Sequence, residues 1–201
     1  EGEIEYVDIR LDGAPTEALV EQVEEGIEIR LDSPVNRSRL LEVDFRSRVF
    51  LNQTRFDAVL VNGSGTAALR QPVDAGDAEP DIASEVTFVS LPSQHPLVGD
   101  VTLSSSVITP NGDGVGDKLT ISFSLFQLLV ARPLDISIHT LSGRRVRLLS
   151  EEGMTAGPVS IEWDGHDDND RIVAPGTYIL RVESRGDARS ESLSRVVSVA
   201  Y

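Results

Sequence analysis

The chain has 201 residues, 40% hydrophobic and 25% charged, with a formal net charge of −15 and no cysteine. That length suits one large domain or two of about 100 residues each. The lack of cysteine removes disulfides, thiolate catalysis and Cys-based zinc sites together, and the acid excess repels nucleic-acid phosphates and anionic membranes.

The charge is uneven: 19 acidic against 8 basic residues stand before position 98, and 14 against 10 from there on. No stretch approaches the roughly 18 consecutive apolar residues of a membrane span. Neither a nucleic-acid partner nor a spanning segment is therefore expected. The chain opens on Glu1 rather than Met, as a processed or shortened start does.

Period-two alternation dominates the first half. Val7, Ile9 and Leu11 make a first strand; Pro15–Glu25 is the only helical candidate, with Leu19, Val20 and Val23 on one side and Pro15 suited to a first turn. Ile27, Ile29 and Leu31 alternate with Glu28, Arg30 and Asp32, and a long run from Leu41 to Leu51 sets apolar residues against Glu42, Asp44, Arg46 and Arg48. Each reads as a strand with one buried and one wet face. Phe56–Val61 and Val86–Leu91 supply two more.

Residues 71–84 are rich in turn formers, and 92–100, PSQHPLVGD, read as a hinge between domains. Beyond it the strands resume at Val101–Val107, Leu119–Leu125, Leu134–Leu141, Val146–Leu149, Val159–Trp163, Tyr178–Val182 and Leu193–Tyr201. Seven short strands split by Gly, Pro and Asp turns are the pattern of an immunoglobulin-like sandwich. With no helix to cover a sheet, a second sheet must do so. The expected fold is all-β, two tandem β-sandwiches, over residues 1–97 and 98–201.

Two stretches concentrate oxygen ligands. In TPNGDGVGD, residues 109–117, Asn111, Asp113 and Asp117 stand at relative positions 1, 3 and 7, with the Val115 carbonyl between them. Calcium takes six to eight oxygens from such a loop, although Ser122 stands where an EF-hand needs an acid. The same residues also make a plain turn, glycines supplying positive φ and Asn111 and Asp113 making Asx-turns. No lysine follows in phosphate-loop register and no helix follows. In WDGHDDNDRIVAPGTY, residues 163–178, Asp164, Asp168 and Asp170, beside Asp167 and His166, form a second cation candidate or a polar hairpin tip.

Catalysis fails on inventory: His95, His139 and His166 lie far apart and no Ser or Asp stands in a nucleophile motif. Trp163 and Tyr178 suit a sandwich core better than sugar stacking.

TPNGDGVGD followed by a strand resembles the opening of gliding-motility-associated C-terminal domains. LSGRRVRLL (141–149), AGPVSIEWDG (156–165) and VAPGTYILRVE (173–183) resemble the Ig-like domain of the flagellar hook-cap protein, with Gly143, Trp163, Gly165, Pro175, Gly176 and Tyr178 in matching positions. The resemblance implies an exported bacterial protein, a hairpin turn at Ser142–Arg145, Trp163 between the sheets, and a tight Pro175–Gly176 turn feeding the Tyr178 strand. Residues 1–97 do not match the stretch that precedes this domain in a hook cap, and the chain closes RVVSVAY rather than on the lysine-rich tail of type IX sorting domains.

The expected function is a non-catalytic structural module outside or on the bacterial cell, a subunit or C-terminal piece of a surface filament, sheath or adhesin. Self-association through strand edges into a homopolymer, or contact with neighbouring domains, supplies its partners. The alternative is a sorting or anchoring module of a larger secreted enzyme or adhesin. Carbohydrate binding by residues 1–97 ranks third, because Tyr6, Phe45, Phe50, Phe56 and Phe88 mostly occupy strand-core registers.

Overall fold

The computed structural model describes residues 4–24, 26–62, 69–74, 76, 88–92, 94–150, 152–185 and 190–201. Among these there is no helix, and so none long and apolar enough to cross a membrane. The chain is all-β and divides into two compact units, residues 1–91 and 92–201. The break thus falls ahead of the 97/98 boundary read from the sequence. The reason lies in the partners of residues 95–97: His95 packs at a tilt against Phe126 (4.3 Å between ring centroids), Phe126 N donates to Leu97 O, and Leu97 N donates to Glu191.

In the first unit, β1 (Ile4–Leu11), β2 (Ala14–Pro15) and β5 (Leu41–Ser47) form a sheet in the order β2-β1-β5. Asp12 and Gly13, both at positive φ (53° and 76°), make the two-residue turn between β1 and β2, the conformation whose twist matches paired strands. The helix expected over Pro15–Glu25 is not formed. Ala18–Val23 is a strand, β3, paired with β4 (Gly26–Leu31) from Ala18↔Leu31 to Val23↔Gly26. The strongly alternating β4 offers a partner, and Ala18 and Val20 share the less exposed face.

The long Leu41 run stops at Ser47, and Phe56–Val61 splits into β6 (Thr54–Arg55) and β7 (Val59–Asn62), which pair with β9 (Phe88–Val89) and β8 (Leu69–Pro72). Residues 86 and 87 of the expected Val86–Leu91 strand lie outside the described residues. Ile9, Leu11 and Phe50 are the buried hydrophobics of this unit among the described residues. Contrary to the strand-core expectation, Tyr6, Phe45 and Phe88 stay 41–51% exposed, although Phe45 packs 5.3 Å from Phe56. On the other face of β1, Arg10 fans across Asp8, Glu42 and Asp44.

The second unit comprises β10 (Val98–Leu103), β11 (Val107–Ile108), β12 (Leu119–Leu125), β13 (Arg132–Thr140), β14 (Arg145–Ser150), β15 (Gly153–Met154), β16 (Gly157–Trp163), β17 (Gly176–Arg185) and β18 (Ser190–Val199). One sheet runs β10-β12-β16. The other runs β11-β18-β17-β13-β14, with β15 also on β13. Pairing is antiparallel except for β11 on β18.

Alternation places Ile121, Phe123 and Leu125 of one sheet and Ile136, Ile138, Leu180, Val182 and Val197 of the other in a single buried cluster. Trp163 sits in that cluster at 1% exposure. Its ring meets Tyr178 edge-on at 5.8 Å and its Nε1–H donates to His166 O. The indole therefore fills the core while its one polar atom remains satisfied.

Candidate functional site

Chain direction brings three connections to one end of the second unit: residues 109–118 before β12, 141–144 between β13 and β14, and 164–175 between β16 and β17. Both oxygen-rich stretches found in the sequence lie here.

The first connection folds around Asp117. Its Oδ1 accepts from Asn111 N (3.0 Å) and Gly112 N (2.9 Å), and its Oδ2 accepts from Gly114 N (2.7 Å). Asp113 N donates to Asn111 Oδ1 and Val115 N to Asp113 Oδ1, two successive Asx-turns. Thr109 ties the base, its N–H donating to Gly116 O and its hydroxyl to Val115 O. Gly112, Gly114 and Gly116 all have positive φ. The backbone N–H groups of Gly112 and Gly114, then that of Asn111, hold the Asp117 carboxyl below its ordinary range against a smaller opposing effect of burial.

Asn111, Asp113, Val115 and Asp117 are thus brought together. Their oxygens already accept hydrogen bonds from the loop: Asn111 Oδ1, Asp113 Oδ1 and both Asp117 oxygens from backbone N–H groups, and the Val115 carbonyl from Thr109.

The second connection scatters its carboxylates. Asp164 Oδ1 accepts from His166 N, and the imidazole lies against the same residue. Burial pushes the Asp164 carboxyl up, but the hydrogen bonds and charge of His166 outweigh it and leave the group lowered. Asp167 accepts from the backbone N–H of Asn169 and Arg171 and is lowered chiefly by the Arg171 bond. Asp168 Oδ1 accepts from Leu148 N (2.9 Å), while Asp168 N donates to Val146 O (3.0 Å). Asp170 pairs with Arg147, whose guanidinium also donates to Asp167 O (2.6 Å).

Asp164, Asp168 and Asp170 are consequently not brought together: each serves a different anchor. Among the described residues no group of three or more His, Asp or Glu side chains is placed to hold a metal ion. What Asp167, Asp168 and Asp170 do instead is fasten this connection along the outer edge of β14, the role that sequence reasoning missed. Nothing local in the sequence marks it, because the Leu148 partner stands far away along the chain.

Of the turns expected around the core, the one at Gly143 is in place, whereas Pro175 is a bend and Gly176 already begins β17, paired with Val199. Gly143, at φ 85°, closes the β13–β14 hairpin through Gly143 N to Thr140 O. Tyr178 Oη donates to Ala174 O at 2.6 Å, tying the start of β17 to the turn that precedes it, as a tyrosine corner does in Greek-key sandwiches. Burial raises the Tyr178 phenol.

The histidines do not converge. His95 packs on Phe126, and His166 serves Asp164. His139 lies on one strand face with Ser137 and Asp135. That trio is not a nucleophile relay: Ser137 is buried, its hydroxyl donates to Asp135 (2.7 Å), and His139 Nδ1 faces Gly143 O rather than a carboxylate. In the first unit an open groove of about 910 Å³ runs past Tyr6, Val20, Arg46 and Arg48.

Residues 116–188 match the family model of the FlgD Ig-like domain. Among solved structures, FlgD from P. aeruginosa is similar at 23% identity and a TM-score of 0.36, over 52% of this chain and 78% of that one. No curated protein matches the chain.

Proposed function

We infer, from a second unit whose residues 116–188 match the FlgD Ig-like domain, that the chain is a non-catalytic structural module of an exported bacterial assembly. It acts as a subunit or C-terminal piece of a surface filament, sheath or adhesin and associates through strand edges, with copies of itself as partners.

The observation that carries this reading is how the polar groups at the loop end are used. Carboxylates that hold a substrate or activate a water present free oxygens to a shared space. Here Asp117, Asp164, Asp167 and Asp168 instead bind N–H groups of their own loops and of β14, and so fix a rigid sandwich. A rigid two-sheet body with exposed strands suits a mechanical role. The net charge of −15 opposes approach of like copies at low ionic strength, so association strengthens as salt screens it.

Sedimentation velocity across a concentration and salt series, with electron microscopy of the same material, tests the reading. Discrete oligomers or ordered polymers are the expected result. Strictly monomeric behaviour throughout overturns it.

A further inference from the structure

Among the described residues the two sheets of the second unit are bordered by β10, β16, β11 and β14 with the short β15 beside it, and the chain itself obstructs β10, β11 and β14. The outer edge of β14 carries the connection fastened by Asp168 N to Val146 O and Leu148 N to Asp168 Oδ1. At β11, two residues long, Ser105 Oγ occupies the Val107 N–H and donates to the Val107 carbonyl. At β10 the register breaks between Gly99 and Thr102, Asp100 adopts φ 55°, and Glu191 takes the Leu97 and Val98 N–H groups. Bulges, very short strands and covering loops are how sheets prevent unwanted pairing.

β16 is built differently. It keeps unbroken register with β12 over seven residues, from Leu119↔Trp163 to Leu125↔Gly157. Thr120 directs both its N–H and its carbonyl toward Ser104, on the side away from β16. Because antiparallel residues alternate in the direction of their backbone groups, Gly157, Val159, Ile161 and Trp163 bond to β12, and Pro158, Ser160 and Glu162 turn theirs outward. Proline stands where the inner ladder loses no donor. Among the described residues no hydrogen bond reaches the outward N–H or carbonyl of Ser160 or Glu162, and both residues are exposed.

We propose that the β16 edge pairs antiparallel with the β16 edge of a second copy, with Ile161 on the two-fold axis. The proposal rests on the structural reading above and names its contact. In this register Ser160 N–H and carbonyl meet the carbonyl and N–H of Glu162 in the second copy, and the reverse holds by symmetry, so every outward N–H of the two residues is used. Two three-stranded sheets become one of six strands.

Charge does not oppose this strip as a contact between like copies. Glu162 is the only charged side chain of β16, and Lys118 Nζ, the single lysine of the chain, lies 2.9 Å from its Oε2. The hydrogen bond and charge of Glu162 raise the Lys118 ammonium further above its ordinary range, so the pair stays neutral overall. Serine directly opposes glutamate across the axis, and the two Glu162 carboxylates, which are diagonal neighbours there, are each paired with their own Lys118. A two-fold contact closes on itself; it supplies one of the two interfaces that a polymer needs.

The full chain and two variants test it. S160P removes one outward N–H per copy, and losing two hydrogen bonds across the axis weakens the dimer about 30-fold in sedimentation. S160C/E162C, in a chain without native cysteine, sets the two thiols on directly opposed residues about 5.5 Å apart at Cα, within disulfide reach. Oxidation then yields a covalent dimer on non-reducing gels, while T102C on β10 does not. Wild-type association that persists in S160P, with no interchain disulfide from the cysteine pair, overturns the edge assignment and leaves the structural reading standing; such material pairs with something other than this edge. A wild-type chain that is monomeric at every concentration overturns both. If S160P fails to fold, the cysteine pair decides alone.

Discussion

Among the described glycines, Gly165 is the one at which an added methyl group meets the closest neighbour. Its φ is +75°, and a Cβ built there lies 2.8 Å from Pro110 Cγ and 3.0 Å from Pro110 Cβ, with Ile108 Cδ1 at 3.5 Å. The pyrrolidine ring is buried and cannot swing aside, and Ile108 is fully buried behind it. Gly165→Ala therefore meets two costs: about 1–2 kcal/mol for a left-handed backbone with a side chain, and about 1–3 kcal/mol for overpacking. Gly143→Ala is the matched comparison, because Gly143 has φ +85° and nothing within 4 Å of its Cβ position. It should lose only the first amount, about 1–2 kcal/mol. Urea unfolding followed by tryptophan emission measures both. The chain has one tryptophan, Trp163, buried in the second unit, so the signal reports that unit alone. Equal destabilisation by the two substitutions would refute the claim that the 164–175 connection is wedged against Pro110.

Tyr178→Phe should cost about 1 kcal/mol by the same assay, since it deletes the 2.6 Å bond to Ala174 O and leaves the ring in place. Asp117 predicts an acid limb. Its folded carboxyl titrates below the ordinary 3.8, so its contribution is complete above that pH and disappears as pH falls through the lower folded value. Asp117→Asn should flatten the decline of stability as pH falls below the ordinary carboxylate value of 3.8; an unchanged acid limb would show that the carboxylate does not close the loop. Asp168→Ala exposes Leu148 N and the β14 edge, and should increase aggregation on prolonged incubation, read by light scattering at constant Trp163 emission. Because the Val115 carbonyl and side-chain oxygens of Asn111, Asp113 and Asp117 accept hydrogen bonds within the loop, exchanging calcium for chelator should leave the second-unit melting temperature unchanged. A rise of several degrees with calcium would overturn that account.

The strands of the second unit were the easiest part of the fold to read from sequence. Leu119–Leu125 has the same bounds in the alternation and in the structure, because Leu119, Ile121, Phe123 and Leu125 all face one core. The Pro15–Glu25 segment failed for the opposite reason. Three apolar residues at 19, 20 and 23 fit a helical face and a strand equally well, and only the pairing with Gly26–Leu31 decides between them. Asp12–Gly13 is a hairpin signal readable in the sequence, and both residues do adopt the positive φ that such a turn needs. In the loops, acids and glycines revealed a special backbone but not its partners: Asp117 binds within its own loop, whereas Asp168 binds a strand distant in sequence. The free edge of β16 had a faint sequence mark in Pro158, whose meaning depends on which way Thr120 faces.

The short parallel pairing of Val107–Ile108 with Ser198–Val199 spans nearly the whole length of the second unit. It joins an early strand of the second unit to its last one, and Glu191 likewise reaches back to Leu97. A chain emerging from its amino end can form the β12–β16 pairing early, but the larger sheet stays unfinished until residues 190–199 are free to dock. Loop closure of that span is slow compared with local pairing. The unit therefore completes itself late, after nearly all of its length has been released.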